Sequence, residues 1–216
     1  MPTSIGILGG TFNPPHLGHL AVARAARREL GLERVLLVPV HTPPHKPAGE
    51  DPGPEHRLAM CRLLAVGEPG LAVSDVEVAR GGPSYTADTL ESLQLSHPQA
   101  ELTFIVGADT ARTLPTWHEP ARVLGLARLA VATREGAERA GVLEAVAAVR
   151  GLAPVPAKAA PPRPHAATVM FLTMEPIDIS SSRARERAHR GEPLQDLLGP
   201  DVAAYVSDHG LYREGR

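Results

Sequence analysis

Short runs of apolar residues alternate along this chain with longer amphipathic segments. The uninterrupted apolar runs predict buried strands at residues 4–8, 34–38, 102–106, 128–133 and 168–172. The alternating pattern at residues 71–78 predicts a half-exposed strand. Helical spacing predicts helices at residues 18–30, 55–66, 85–95, 140–149, 181–190 and 200–209. Strands that alternate with helices predict an α/β fold with a mainly parallel sheet.

The organisation of the chain is predicted to be simple. Its 216 residues can bury a full core, and neither a repeat nor a clean linker divides them, so we predict a single domain over residues 1–216. Two parts of this domain are expected to differ from the alternating strands and helices. A Pro- and Ala-rich stretch at residues 155–166 is expected to be a flexible connection, and residues 180–212 a helical C-terminal segment. Residues 41–54, dense in Pro and Gly, are expected to form a loop.

Composition narrows the class of protein further. The chain has 22 Lys and Arg against 24 Asp and Glu, so no basic excess indicates a partner that is a nucleic-acid polymer or a membrane surface. Cys61 is the single cysteine, which excludes an intrachain disulfide and leaves a packed apolar role. The chain start lacks the features of a signal peptide, and no apolar run could span a bilayer. We therefore expect a cytoplasmic protein, and the sequence leaves its oligomeric state open.

The strongest chemical signal is the segment Gly-Gly-Thr-Phe-Asn-Pro-Pro-His-Leu-Gly-His at residues 9–19. Two glycines directly after a predicted strand would let the backbone turn sharply and approach a ligand closely. His16 and His19 are three residues apart at the start of a helix, so both rings could face one bound group. Because a helix N-terminus favours anions, the segment predicts a phosphate site. Zinc is the alternative, with His16, His19, His41 and His45 as ligands, although no carboxylate or thiolate accompanies them.

A second signal is the segment Ile-Ser-Ser-Ser-Arg-Ala-Arg at residues 179–185. Its hydroxyl groups could cap a helix and hold phosphate oxygens, and Arg185 would add a charge-assisted contact. Taken alone, the segment more often indicates a serine N-cap before a solvated basic helix, and its pairing with the first segment favours phosphate binding. In parallel α/β sheets, ligands bind beyond the carboxyl ends of the strands. Both segments, together with residues 41–46 and 107–109, are therefore expected on one rim.

The two segments together resemble the nucleotidyltransferase superfamily, whose hallmarks are an (H/T)xGH turn and an ISSTxxR-like segment. Intervening pieces narrow the resemblance to the bacterial nicotinate mononucleotide adenylyltransferases. These pieces are Pro43-Pro44-His45-Lys46, Arg57, the run from Pro83 to Leu90, and Gly107-Ala108-Asp109 with Trp117 downstream. Three positions depart from the pattern: Asn13 stands where the family often has Asp, Ser182 replaces a frequent Thr, and Ala184 a larger aliphatic residue. The resemblance implies a doubly wound, Rossmann-like sheet with helices on both faces.

The resemblance also implies an activity, namely transfer of the adenylyl group of ATP to nicotinate mononucleotide, with Mg²⁺ bound through the ATP phosphates and no metal site in the protein itself. The implied catalytic residues are His16, His19, Lys46 and Arg185. The implied ATP-binding residues are these histidines and Arg185 with Gly9, Gly10, Thr11, Phe12, Gly107, Asp109, Ser180 and Ser182. The implied residues for nicotinate mononucleotide are Asn13, Lys46, Tyr85, Thr86, Trp117 and Arg134.

Several alternatives remain open from the sequence. Another superfamily member, such as a phosphopantetheine adenylyltransferase or a cytidylyltransferase, would share the two phosphate-binding segments. A regulator that binds a nucleotide or a metal without turnover is the alternative from another class. Among single residues, Asp109 could be a helix N-cap, Trp117 a core residue and Arg57 a solvated helix residue, and Ser84 is expected to cap the helix that follows it.

Overall fold

The computed structural model describes residues 3–43, 50–133, 138–151, 168–174 and 178–213. In these ranges, six parallel strands form one sheet in the order β3-β2-β1-β4-β5-β6. The strands are β1 (Ser4–Gly10), β2 (Arg34–Pro39), β3 (Leu71–Val73), β4 (Glu101–Gly107), β5 (Arg128–Thr133) and β6 (Val169–Thr173). The order reverses between β1 and β4, which is the position where doubly wound sheets bind their ligands. The predicted α/β fold is confirmed.

Helices connect the strands and extend beyond the last of them. They are α1 (Leu17–Glu29), α2 (Pro54–Leu64), α3 (Val76–Arg80), α4 (Thr86–Ser96), α5 (Ala108–Arg112), α6 (Pro120–Leu126), α7 (Glu138–Arg150), α8 (Ser181–His189), α9 (Gln195–Leu198) and α10 (Pro200–Asp208). A 3-10 turn spans Leu114–Thr116. The six long helices that the pattern predicts are present to within a few residues at each end.

Two separate apolar cores cover the two faces of the sheet. On one face, Ile5 and Ile7 of β1 pack with residues of α4, α6 and α7. On the other face, Leu8 of β1 packs with residues of α1, α2 and α10, and Cys61 is fully buried there. Because successive side chains of a strand point to opposite faces, the buried runs of β1 and β4 supply both cores. The central strands are thus fixed from both sides.

The prediction of a strand over residues 71–78 is partly wrong. Only Leu71–Val73 pairs with β2, and the chain then turns into the short helix α3. The alternation of residues 74–78 does not correspond to a strand, and Glu77, one of its polar positions, is buried and accepts a hydrogen bond from Thr89 Oγ1 of α4 at 2.6 Å. The short helices α3, α5, α6 and α9 were not predicted, since four to seven residues carry too little periodicity.

Within the described ranges, no helix combines the length and the apolar character that crossing a lipid bilayer requires. The Pro- and Ala-rich residues 155–166 lie outside these ranges.

Candidate active site

The segment after β1 turns at a different place from the one expected. Gly9 and Gly10 are the last residues of β1, and the turn follows at Phe12, which has a left-handed φ of 51°, and at a cis bond between Asn13 and Pro14. Gly10 is needed for space instead, because a Cβ there would lie 3.3 Å from the Phe12 ring. That ring is 2% exposed and packs in the core beneath His19. A contact of Phe12 with ATP would therefore come from its backbone.

The two histidines of this segment lie against each other at the start of α1. His16 is the N-cap residue, and its ring centroid lies 3.7 Å from that of His19. The backbone N–H of His16 donates a hydrogen bond to His19 Nδ1 at 3.2 Å. Since Nδ1 of His19 accepts, the proton of its neutral ring is on Nε2. His16 Nδ1 is buried and has no hydrogen-bond partner among the described residues.

Both imidazoles are neutral in the free protein at physiological pH. Burial lowers the pKa of His16 from 6.5 to about 4. Burial also lowers the pKa of His19 well below its ordinary value, and repulsion from His16 lowers it further. A neutral ring donates one N–H and accepts at its other nitrogen. The pair can therefore donate hydrogen bonds to an anion without a proton having to be bound first.

The serine-rich segment docks directly onto the turn after β1. Ser180 is the N-cap of α8, and its Oγ accepts from the backbone N–H of Arg183 at 3.2 Å. Ser181 Oγ donates to the carbonyl of Pro14 at 2.8 Å, and Arg185 Nη1 donates to the carbonyl of Asn13 at 2.8 Å. Ser182 is exposed and accepts from Arg185 Nη2 at 3.3 Å. Two segments about 170 positions apart thus form one surface.

Asn13 links this surface to two further parts of the chain. Its Oδ1 accepts from the hydroxyl of Tyr212 at 2.5 Å, and its Nδ2 donates to the carbonyl of Glu50 at 3.2 Å. The Glu50 carboxylate in turn contacts His189 Nε2 at 2.8 Å and lies 3.8 Å from Arg185 Nε. The described contacts of Asn13 are therefore structural, and they need no negative charge at this position.

Arg57 is not the solvated helix residue that the sequence allowed. Its side chain is fully buried, and its guanidinium donates to the carbonyls of Thr11, Val40 and His41 at 2.6–2.9 Å. Its Nε pairs with Asp51 at 2.9 Å. One guanidinium therefore joins the turn after β1 to the segment after β2. The signal in the sequence was the spacing, since position 57 shares an i, i+3, i+4, i+7 stripe with Met60, Cys61 and Leu64.

The start of α4 is in contact with the segment that contains Trp117 and His118. Tyr85 and Thr86 lie at the N-terminus of α4, and the ring of His118 packs on the ring of Tyr85 at 4.4 Å. Trp117 is half-buried, with its Nε1 donating to Thr113 Oγ1 at 3.0 Å and its ring meeting Phe104 edge-on at 5.9 Å. The structure thus joins Tyr85 at the start of α4 to His118, which sequence reasoning missed, and His118 directly follows Trp117.

The segment before α4 is tied to the segment after β2. The backbone N–H of His41 donates to Ser84 Oγ at 2.9 Å, and the backbone N–H of Ser84 donates to the carbonyl of Thr42 at 3.1 Å. The prediction that Ser84 caps α4 is therefore wrong, because Tyr85 is the N-cap residue and the Ser84 hydroxyl binds His41. Burial raises the pKa of the nearby Glu77 carboxyl, which hydrogen bonds from Ser84 and Thr89 partly offset.

The remaining candidates lie at the carboxyl end of β4 or outside the described residues. Gly107 is the N-cap of α5, so the N-cap alternative for Asp109 is wrong. The side chain of Asp109 is 86% exposed and pairs with Arg112. Lys46, His45 and Arg134 fall outside the described residues. In the part of the chain that the structure describes, no group of three or more His, Cys, Asp or Glu side chains is placed to hold a metal ion.

Comparison with known proteins shows the family to which the chain belongs. The family model described as "Cytidylyltransferase-like" matches residues 7–187, a range that contains both the segment 9–19 and the segment 179–185. A relative from Thermomicrobium roseum is 42% identical over 209 residues, which are 97% of this chain and 91% of the relative, and it is named "Probable nicotinate-nucleotide adenylyltransferase". A relative of the same name from Roseiflexus sp. is 42% identical over 97% of this chain and 98% of its own length. The chain belongs to the nicotinate-nucleotide adenylyltransferase family.

A solved structure of low sequence identity has a similar fold to this member of the nicotinate-nucleotide adenylyltransferase family. The nicotinic acid mononucleotide adenylyltransferase of Plasmodium falciparum, complexed with NaAD, superposes with a TM-score of 0.71 over 97% of both chains. The two sequences are 18% identical, so this likeness concerns the fold. It agrees with the doubly wound arrangement of the six described strands.

Proposed function

We propose that the protein joins ATP and nicotinate mononucleotide to give nicotinate adenine dinucleotide and pyrophosphate. In this reaction a 5′-phosphate oxygen of nicotinate mononucleotide attacks the α-phosphorus of ATP. The bond from the α-phosphorus to the oxygen that bridges to the β-phosphorus breaks, and pyrophosphate leaves with that oxygen. A phosphate monoester is already an adequate nucleophile, so the protein acts by positioning the two phosphates and stabilising charge.

The observation that carries the proposal is the pair of contacts that join the turn after β1 to the start of α8. Ser181 binds the carbonyl of Pro14, and Arg185 binds that of Asn13. Because of these contacts, the N-termini of α1 and α8 lie in the same region. The first backbone N–H groups of each helix lack intrahelical acceptors, and both helix dipoles present their positive ends there. Such a site favours a polyphosphate.

The side chains at this site have distinct proposed roles. His16 and His19 donate hydrogen bonds to the ATP phosphates, with Nε2–H of His19 directed to the bridging oxygen as charge develops on it. Ser180, Ser182 and Arg185 hold the departing pyrophosphate. Lys46 contacts both reacting phosphates. The backbone of Gly9, Gly10, Thr11 and Phe12 lies along the nucleotide, and Asp109 accepts hydrogen bonds from the ATP ribose beside Gly107.

Mg²⁺ is proposed to enter with ATP rather than to occupy a site of the protein. The donors that converge here are imidazole, hydroxyl and guanidinium groups, which suit an anion rather than a hard cation. When bound to the phosphate oxygens, Mg²⁺ neutralises charge on the polyphosphate. The residues described above then need only hold the metal-bound nucleotide in place.

The pyridine end is proposed to lie between the start of α4 and the segment at Trp117. Trp117 would stack on the ring, and Tyr85, Thr86 and Arg134 would complete the site for the pyridine end. Asn13 is a further proposed contact of the mononucleotide. Backbone N–H groups near Thr86 and Trp117 would meet the nicotinate carboxylate, which gives a preference for the acid over the amide. We place the reaction in the cytoplasm.

The test is an analysis of products with a panel of substrates. The purified protein is incubated with ATP or CTP, each with nicotinate mononucleotide, nicotinamide mononucleotide or phosphopantetheine. The products are then separated and identified by mass spectrometry. The proposal expects nicotinate adenine dinucleotide and pyrophosphate as the dominant products. Preference for CTP would favour a cytidylyltransferase, a possibility that the broader "Cytidylyltransferase-like" family match raises. Equal use of the amide mononucleotide, or no turnover with any pair, would overturn the proposal.

A further inference from the structure

A cluster of charges lies beside the proposed pyridine site, and the phosphate chemistry does not use it. Arg122 of α6 is 3% exposed, and three carboxylates surround its guanidinium. Asp88 and Glu91 come from α4, and Glu119 comes from the residue before α6. The distances are 3.1 Å to Asp88 and 2.6 Å to Glu119, and Nη2 donates to Glu91. A buried charge is retained only where it is paired, so this cluster fixes α4 against α6.

The charged cluster around Arg122 lies between the two segments that form the proposed pyridine site. Asp88 lies two residues after Thr86, at the N-terminus of α4. Glu119 lies two residues after Trp117 and directly after His118. The two segments that form the proposed pyridine site are thus joined through one guanidinium. The ring contact between Tyr85 and His118 at 4.4 Å runs between the same two segments.

The backbone of Glu119, the residue that pairs with Arg122, has a constrained conformation. Glu119 has φ 47° and ψ 55°, a left-handed conformation that non-glycine residues adopt at a cost, and it precedes Pro120. The ion pair with Arg122 holds its side chain, and its carbonyl accepts from the backbone N–H of Arg122 at 3.0 Å. The chain therefore turns directly after His118, and the segment of residues 117–119 is held to α4 through the contacts of His118 with Tyr85 and of Glu119 with Arg122.

We infer that Arg122 is a positioning residue that fixes the segment of Trp117 and His118 against the N-terminus of α4 and thereby shapes the binding site for the pyridine end of the acceptor nucleotide. This inference rests on the proposed function for the identity of that nucleotide. Arg122 contacts no phosphate-binding residue in the described contacts. Its loss should therefore weaken binding of nicotinate mononucleotide and leave ATP binding unchanged.

The test compares Arg122→Met with Glu119→Ala and with the control Arg128→Met. Arg128 pairs with Glu101 at 2.5 Å at the amino ends of β4 and β5, on the opposite edge of the sheet from the site. Arg122→Met should raise KM for nicotinate mononucleotide by about tenfold or more, while KM for ATP changes by less than about twofold. Glu119→Ala should show the same selectivity to a smaller extent, and Arg128→Met should change neither constant.

A second readout separates positioning from general loss of structure. Trp117 is the only tryptophan of the chain, so its fluorescence reports the segment directly. In the free protein, Arg122→Met and Glu119→Ala should shift the emission maximum and increase quenching by acrylamide, and Arg122→Lys should restore part of the wild-type signal. If Arg122→Met does not fold, Glu119→Ala still tests the inference. This variant leaves Arg122 paired with Asp88 and Glu91, so its buried charge keeps two partners.

The two readouts also separate this inference from the proposed function. Unchanged fluorescence together with an unchanged KM for the acceptor in folded Glu119→Ala would overturn the inference, as would equal increases in both KM values. If the wild-type protein makes no nicotinate adenine dinucleotide, the proposed function fails, whereas the fluorescence of the free variants still reports whether Arg122 and Glu119 hold Trp117 in place.

Discussion

Arg185 Nη1 donates a hydrogen bond to the carbonyl of Asn13 at 2.8 Å, across 172 positions of the chain. The same guanidinium reaches Ser182 through Nη2 at 3.3 Å and lies 3.8 Å from Glu50 through Nε. It therefore joins the start of α8 to the turn after β1 while remaining partly exposed. A phosphate that enters this region would meet a guanidinium that is already oriented, which lowers the entropic cost of binding it.

The first prediction concerns Arg57, the buried link between the turn after β1 and the segment after β2. Arg57→Met leaves three backbone carbonyls without their donor and removes the partner of Asp51. Loss of one partner of a buried pair costs about 3 to 5 kcal/mol, and we expect a fall of that size in the free energy of unfolding measured with urea.

A matched control for Arg57 lies one turn further along α2. The side chain of Arg62 is 60% exposed and pairs with Asp75 at 3.3 Å. Exposed ion pairs contribute about 0 to 1 kcal/mol, so Arg62→Met should change the free energy of unfolding by no more than that. Equal losses in the two variants would show that the guanidinium of Arg57 has no special role in stability.

The second prediction concerns the pH dependence of stability. In the folded protein the pKa of His16 is lowered from 6.5 to about 4, and that of His19 is lowered as well. Between those values the unfolded chain binds protons that the folded protein does not, so stability is lost as the pH falls below about 6.5. Each histidine contributes a slope of at most about 1.4 kcal/mol per pH unit.

Urea unfolding between pH 7 and pH 5 measures this slope. Replacing both residues, as His16→Gln with His19→Gln, should flatten the dependence relative to the wild-type protein. His97→Gln serves as a control for the substitution itself, because His97 lies at the end of α4, away from residues 9–19. A slope that persists in the double variant would contradict the assignment of neutral, buried imidazoles to the free protein.

The third prediction uses Trp117 as a probe of the acceptor site. If its ring stacks on the pyridine, nicotinate mononucleotide should quench its fluorescence in a saturable way, and ATP alone should have little effect. Trp117→Leu should raise KM for nicotinate mononucleotide by about tenfold, with KM for ATP within about twofold of the wild-type value. Equal quenching by ATP and by the mononucleotide would place Trp117 at a different part of the site.

The parts of the fold that were predictable from sequence are those with strong local signals. The buried strands and the long helices follow from apolar runs and helical periodicity, and Gly9-Gly10 and Gly107 identified the carboxyl ends of β1 and β4. The short helix α3 was missed because five residues carry too little periodicity, and its buried Glu77 is held by a hydrogen bond from Thr89, twelve positions away. No local pattern contains that contact.

The residues of the candidate site that have reactive or phosphate-binding side chains were predictable from sequence. The residues that only support the position of other side chains were not. The two histidines and the serine-rich segment stand out by residue type and by their position after strands. Arg57, Arg122 and Tyr212 act through contacts between 3 and 199 positions long, and their residue types are ordinary on a helix or near a chain end. For Arg57 the helical stripe shared with Met60, Cys61 and Leu64 was a signal of burial, whereas for Arg122 and Tyr212 only the packed structure shows that the side chains point inward.

The central claim is that the turn after β1 and the start of α8 act on one polyphosphate as a unit. A double-mutant cycle on kcat/KM for pyrophosphate release tests it, with His19→Ala, Arg185→Met and the combined variant. The control cycle replaces Arg185→Met by Arg187→Met, because Arg187 lies on the same helix and pairs with Asp196 instead. We expect a coupling of at least about 0.5 kcal/mol between His19 and Arg185 and none between His19 and Arg187. Losses for His19 and Arg185 that simply multiply, as in the control cycle, would contradict a single phosphate-binding unit.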